Sequence, residues 1–104
     1  MNNKVRFELC DNFIWEIYEE QVYKDIVNRD NKVEIIWDLV GITKLPSFTV
    51  ILKQINLMKR IKKHIEKNIK KNIIIVNSLN TKEFLLWLFK YIYTPINETV
   101  VIVN

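Results

Sequence analysis

Few side chains in this sequence could carry out catalysis, because those that titrate near neutral pH are rare and scattered. His64 is the single histidine of the 104 residues, and Cys10 is the single cysteine. On a helical wheel His64 falls beside Lys53 and Arg60, which favours a solvated surface histidine over a general base. Cys10 has no partner at the spacing of a redox or metal motif and is interpreted as a small apolar residue near a strand end. The sequence therefore predicts a protein that is not an enzyme.

Cofactor and metal chemistry is also disfavoured by the residue types present. A single glycine cannot build a glycine-rich phosphate loop, and Asp, Glu and His do not cluster at the spacing of metal ligands. We therefore expect no cofactor, no metal and no small-molecule substrate. Asp38 follows the middle of a predicted central strand, near the end where α/β sheets place their sites. Hydrogen bonding to loop N–H groups is the favoured interpretation of this carboxylate.

The loop after that strand, Gly41–Ser47, carries the clearest local signal. Gly41 is the only glycine and directly follows the predicted strand. Pro46 suits the first turn of a helix or the position just before it. Ser47 is then placed as the N-cap of the following helix, because its hydroxyl can accept from a backbone N–H two or three residues on.

Charge is distributed unevenly along the chain, whose formal net charge is +4. Residues 1–47 hold six basic and nine acidic side chains, whereas residues 53–71 hold eight basic side chains against Glu66 alone. A predicted long helix, 48–71, would carry most of these cations opposite an apolar stripe. The predicted anion-binding residues of this helix are Lys53, Lys59, Arg60, Lys63, Lys67 and Lys70.

Hydrophobic periodicity predicts the elements that must position these residues. Alternating apolar residues predict a first strand, and the Asp11-Asn12 pair suits the turn of a hairpin to a second strand. The predicted strands are Val5–Cys10, Phe13–Ile17, Val33–Val40, Ile73–Val76 and Thr99–Val103, and the predicted helices are Glu19–Arg29, 48–71 and Thr81–Tyr93, the last one capped by Asn80.

This order of elements predicts one α/β domain over residues 1–104. Strands that alternate with helices pair in parallel through right-handed crossovers, and the opening hairpin would add an antiparallel edge. The expected architecture is a mixed five-stranded sheet with about three helices. A hydrophobic content of 49% excludes a disordered chain. The lone cysteine and the absence of a long apolar run favour a soluble protein of the cytoplasm.

The stretch from Ile35 to Lys63 resembles the STAS domain, the family of bacterial anti-sigma-factor antagonists and of the cytoplasmic tails of anion transporters. Asp38, Leu39, Gly41, Ile42 and Thr43 match the first half of its hallmark, a strand that ends Asp-Leu-Ser-Gly-Val. Ser47 falls at the serine that is phosphorylated in the antagonists. The likeness spans most of the chain and implies a regulatory module without enzymatic activity.

This sequence departs from the family pattern around that serine. Pro46 stands where the family has Asp, Phe48 replaces its second serine, and Thr49 replaces its glycine. The resemblance nevertheless implies a docking site for a protein partner at the loop and the start of the following helix. The residues implied for partner binding are Asp38, Gly41, Thr43, Ser47, Phe48 and Thr49, with Ser47 as the phosphoacceptor.

The sequence leaves open what two further surfaces bind. The basic face of helix 48–71 could bind nucleic acid or an acidic membrane surface, although an almost pure lysine face is more typical of a solvated helix. The last predicted helix is apolar nearly all round, from Phe84 to Tyr93. We expect the excess apolar surface to be covered by a homodimer partner, by another protein, or by the region of Trp15, Tyr18 and Tyr23 in the same chain.

Overall fold

The computed structural model describes residues 3–104 and shows an α/β fold built from four strands and four helices. The first helix continues directly into a wider π-helical turn, Tyr23–Val27. The strands are β1 (Lys4–Cys10), β2 (Val33–Gly41), β3 (Ile69–Val76) and β4 (Glu98–Val103), and the helices are α1 (Trp15–Val22), α2 (Phe48–Arg60), α3 (Lys62–Asn68) and α4 (Leu79–Tyr91).

The four strands form one sheet in the order β1-β2-β3-β4, and every neighbouring pair is parallel. Each crossover therefore moves one strand further in the same direction. Right-handed crossovers that always advance in one direction place all the helices on the same face of the sheet. The core agrees with this arrangement, because strand residues of one alternating set enter it, as Phe7, Ile35 and Ile74 do.

The core begins with aromatic contacts between β1, β2 and α1. The rings of Phe7 and Trp37 stack with their centroids 4.8 Å apart, and Tyr18 meets Phe7 edge-on at 6.2 Å. Asn68 is the one buried polar residue among those described, and its amide donates to the Ile26 carbonyl at 2.8 Å. The first helix is thereby packed on the β1–β2 half of the sheet.

The predicted hairpin is wrong, and with it the antiparallel edge and the fifth strand. Residues predicted as the second strand, Phe13–Ile17, lead into α1 instead. Trp15, Tyr18 and Val22 are spaced three and four apart, so one helical face can bury them against the sheet. A short apolar run such as this one fits both the two-residue alternation of a strand and the 3.6-residue repeat of a helix. Tertiary packing selects the helix.

The predicted long helix 48–71 is also wrong as a single element. The helix α2 ends at Arg60, because Ile61 adopts φ −102° and ψ 18°, and α3 then starts at Lys62. The last predicted turn is strand, since Ile69 already pairs with Val33. The apolar stripe continues across both breaks, so the sequence pattern does not reveal them.

Other boundaries shift by a few residues. Gly41 is the last residue of β2 rather than the first of the loop. The cap of α4 is Ser78, whose hydroxyl accepts from the Thr81 amide at 3.2 Å, and not Asn80. The predicted N-cap at Ser47 is confirmed, because its hydroxyl accepts from the Val50 amide at 3.3 Å. Across residues 3–104, every helix is too short or too polar to cross a membrane.

Replacing Phe7 with Ala should lower the free energy of unfolding by about 3–5 kcal/mol, because the buried ring and its stack on Trp37 are lost. Urea denaturation followed by far-ultraviolet circular dichroism measures this change. Phe48→Ala is the matched control, since the Phe48 ring is 72% exposed and its loss should change stability by less than about 0.5 kcal/mol. Equal losses in the two variants would contradict the packing described above.

Candidate functional site

The loop between β2 and α2 is held in place by a carboxylate from the end of a neighbouring strand. Asp11, which follows β1, accepts from the Thr43 amide at 2.9 Å and from the Lys44 amide at 3.4 Å. The Thr43 hydroxyl donates to the other carboxylate oxygen. These bonds, the Thr43 hydroxyl first among them, hold the pKa of Asp11 below its ordinary value of 3.8. The carboxylate is therefore charged at neutral pH and fixes the loop.

A second anchor comes from the other side of β2. The Asn77 amide, just after β3, donates to the carbonyls of Val40 at 3.2 Å and Ile42 at 3.0 Å. Gly41 lets β2 lie close to β1 here, because a Cβ added to it would stand 3.0 Å from the Leu9 carbonyl oxygen. The loop is thus pinned on both sides at the carboxyl ends of the parallel strands.

The pinned loop presents apolar side chains to solvent. Leu45 and Phe48 are exposed, and Phe48 is the most exposed large hydrophobic side chain among the described residues. Leu52, one turn further along α2, is exposed as well. Because the backbone is fixed by hydrogen bonds, these side chains are displayed at a defined place, which is typical of a binding surface.

Next to this surface, a cavity of about 220 Å³ lies between α2, α4 and the sheet. Its lining is predominantly apolar and takes side chains from both helices. Ile51 and Ile55 line it from α2, and Phe84 and Leu88 line it from α4. It is partly open to solvent, and Leu45 belongs both to its lining and to the exposed loop.

Exposed apolar side chains on both helices continue the cavity outward. Phe48 and Leu52 lie on the same side of α2 as Ile51 and Ile55, because residues three and four apart share a helix face. On α4, the ring of Trp87 lies 6.2 Å from Phe84 and 6.0 Å from the exposed ring of Tyr91. We call this surface the groove; its rim consists of Leu45, Phe48, Leu52, Trp87 and Tyr91.

The charges around the groove are mainly positive. Lys44 lines the cavity, and the exposed Lys59 follows Ile55 by four residues on α2. The ammonium group of Lys90 lies 5.2 Å from the centre of the Tyr91 ring. Glu83 is the single acidic residue of α4, and it is exposed. The groove is therefore apolar in its floor and basic along part of its rim.

Of the residues predicted for partner binding, five lie together and one does not. Gly41 ends β2, and Thr43, Ser47, Phe48 and Thr49 follow it on the loop and the first turn of α2. Asp38 instead lies on the opposite face of the sheet, where it pairs with Arg6 and accepts from the Val40 amide at 3.1 Å. Asp38 was expected to accept from N–H groups of the loop, whereas the N–H it accepts from belongs to Val40 within β2. Its place on the opposite face does not support its membership of the docking site.

The six predicted anion-binding residues do not form one face. Lys70 lies in β3, and Arg60 pairs with Glu19 at 2.7 Å. Lys53 lies 6.0 Å from the centre of the Trp15 ring. Lys59, Lys63 and Lys67 are exposed, but the break at Ile61 separates Lys59 from the other two. His64 is exposed, as predicted, whereas Cys10 is exposed rather than packed as a small apolar residue.

Sequence reasoning missed the cavity, although one signal pointed to it. The apolar circumference of the last helix indicated surface that its own sheet could not cover, and none of the α4 residues is fully buried. Between residues 3 and 104, no cluster of three or more His, Cys, Asp or Glu side chains could hold a metal ion. No protein-family model, curated protein or solved structure matches this chain.

The anchoring of the loop by Asp11 should depend on pH. Because the pKa of Asp11 in the folded chain lies below its ordinary value of 3.8, the anchoring is complete above pH 3.8 and is lost as pH falls through the lower folded-state pKa. The protection factor of the Thr43 amide, which is its intrinsic exchange rate at each pH divided by the rate observed by NMR, measures this anchoring. It should be high at neutral pH and fall in acid. In Asp11→Ala, which removes the acceptor of the Thr43 amide, the protection factor of that amide should be low at every pH, while that of core amides such as Ile74 stays high. Undiminished protection of Thr43 in that variant would refute the anchoring.

Proposed function

We propose that this chain is a non-enzymatic interaction module that docks a partner protein on the groove and the loop beside it. The observation that carries the proposal is the placement of Phe48. This ring is 72% exposed on a helix whose first turn is fixed by the Ser47 cap and the pinned loop. Large, rigid apolar side chains of this kind dominate protein interfaces when a partner buries them.

The groove favours a partner segment that is apolar on one side and acidic on its flanks. Two helices about a shallow apolar floor form the type of surface that accepts an amphipathic helix. Lys44, Lys59 and Lys90 supply positive charge at its edges. This charge arrangement selects acidic over basic segments and speeds their association. Of the six residues predicted to bind anions, Lys59 is the one that takes part in this proposed docking site.

Ser47 is suited to regulate this docking. Its side chain is exposed, caps α2 and stands three residues after Lys44, at the edge of the groove. A phosphate there would add a charge of about −2 at the end of a helix that has no acidic residue in its first turn. It would be held by the helix dipole and would repel an acidic partner segment.

The proposal keeps the STAS-like assignment as its family context. Its support is the sequence around β2, where Asp38, Leu39, Gly41, Ile42 and Thr43 match the first half of the family hallmark. The four parallel strands differ from the five-stranded mixed sheet that was expected from the order of elements. A cytoplasmic location is part of the same proposal, since the one cysteine is a free thiol.

A peptide library displayed on phage and selected against the full chain tests the docking site without knowledge of the natural partner. The enriched peptides should carry apolar residues at helical spacing together with Asp or Glu. Phe48→Ala and Trp87→Ala should each weaken their binding about tenfold or more, as for residues at the centre of an interface. Isothermal titration calorimetry with a synthetic peptide from the selection measures the loss.

Ile17→Ala is the matched control for these variants, because Ile17 is 62% exposed and its side chain does not line the cavity. Its affinity for the peptide should equal that of the natural sequence. A selection that enriches basic peptides, or peptides whose binding survives the loss of both Phe48 and Trp87, would overturn the proposed docking site.

Ser47→Asp should weaken the binding of the same acidic peptide about three- to tenfold at low salt, because it adds one negative charge beside the groove. Ser47→Asn is the control, since Asn caps a helix as well as Asp does but carries no charge. The difference between the two variants should shrink as salt rises, which a titration in sodium chloride would show. Equal affinities at low salt would remove Ser47 from the regulation of docking.

A further inference from the structure

The face of the sheet opposite the helices is bare in a single copy of this chain. All-parallel sheets normally have both faces covered, whereas here the helices lie on one face. Strand side chains that point away from the helices, such as Ile36, Ile73 and Ile102, are absent from the core. Helix residues of the core, such as Tyr18 and Leu57, cluster instead with the opposite set of strand side chains, to which Phe7 and Ile35 belong. We call this surface the open face.

The open face is apolar at its centre because the strands pair in register. Ile36 lies beside Ile73, and Ile73 beside Val100. In the next row, Ile75 lies beside Ile102. Val100 and Ile102 are exposed, and the three other isoleucines are half-buried by their neighbours alone. Five adjacent branched side chains form one continuous patch, which is uncommon on the surface of a monomer.

Charged residues surround this patch in alternating signs. The row at the amino end of the strands aligns Lys4, Glu34, Lys71 and Glu98. Lys71 and Glu98 pair at 3.3 Å, and on the β1 side Arg6 pairs with Asp38 and Glu8. The seven charges of this face comprise three positive and four negative ones, so two such faces meet without strong repulsion.

We infer that the open face is the interface of a homodimer, in which two sheets pack face to face. A two-fold axis places the patch of one copy against the same patch of the second copy. A patch that forms such an interface must therefore be apolar and must carry nearly equal numbers of positive and negative charges. The open face has both properties, whereas the groove carries mainly positive charge and suits a different partner. Sheets packed in this way lie about 10 Å apart, with their inner side chains interdigitated.

Edge pairing through β4 is the alternative arrangement of two copies, and the structure allows it to be tested separately. The Asn104 amide donates to the Val76 carbonyl, so by alternation the N–H of Val103 points away from the sheet. Val103→Pro removes that outward donor while it leaves the β3–β4 ladder in place. A symmetric dimer that pairs through the β4 edge would lose the hydrogen bond donated by the Val103 N–H of each copy.

Light scattering coupled to size-exclusion chromatography, over a range of concentrations of the full chain, tests the inference. The natural sequence should form a dimer at micromolar concentrations. Ile102→Lys should raise the dimer dissociation constant at least about tenfold, because two unpaired ammonium groups would be buried by symmetry. Ile102 is 45% exposed in one copy, so this variant should fold, which its thermal melt checks.

Ile17→Lys is the matched control and should dimerise normally, as should Val103→Pro. A natural sequence that stays monomeric at all concentrations would overturn the inference, and so would a dimer that survives Ile102→Lys. A dimer lost only in Val103→Pro would show that the edge, rather than the open face, joins the two copies. Peptide binding at the groove is measured independently and is unaffected by any of these outcomes.

Discussion

The one-directional winding of the chain is the constraint on which the rest of this structure depends. Each parallel strand is placed beside the previous one, and each crossover returns over the same face. All the helices must therefore share one side of the sheet, and the single core forms between them and the sheet. Both surfaces of functional interest follow from this arrangement: a groove where two helices stand apart, and a sheet face that no helix covers.

The core fixes this arrangement most firmly at β1 and β2. Phe7 and Trp37 stack there, and Tyr18 closes the cluster from α1. Burial raises the pKa of the Tyr18 phenol, whose hydroxyl donates to Gln54 of α2 at 2.7 Å. The neutral phenol thus links the first two helices. Packing is looser at the other end, where α4 buries no residue completely and the cavity opens beside it.

Much of this fold could be predicted from the sequence, where local pattern and tertiary packing agree. The strand at residues 33–40 and the cap at Ser47 depend on β-branched composition and on side-chain chemistry that act locally. The prediction of a hairpin strand at Phe13–Ile17 was wrong, because five residues fit the repeat of a strand as well as that of a helix. Only the contact with Phe7 and Trp37 selects the helix. The break at Ile61 carries no glycine or proline, so nothing local marks it.

The candidate site likewise contains residues that could be predicted from the sequence and residues that could not. The loop and Ser47 were found because they combine Gly41, Pro46 and a capping residue in a short stretch. Asp38 was assigned to the wrong side, because its place in the sequence does not reveal that alternation turns its side chain away from the helices. Asp11 was interpreted as a hairpin-turn residue, and no role was predicted for Asn77. Their anchoring of the loop appears only when the carboxyl ends of three strands are brought side by side.

The order of the strands has a further consequence for how the chain folds. Every strand pairs only with those next to it in sequence, so the molecule resembles a short stack of similar units in which each unit stabilises the next. Such nearest-neighbour architectures gain structure by sequential addition and lose it from their ends. The unit nearest the looser cavity, β4 with α4, is then the first to open. Local unfolding would therefore begin at the carboxyl-terminal strand while the aromatic centre stays intact.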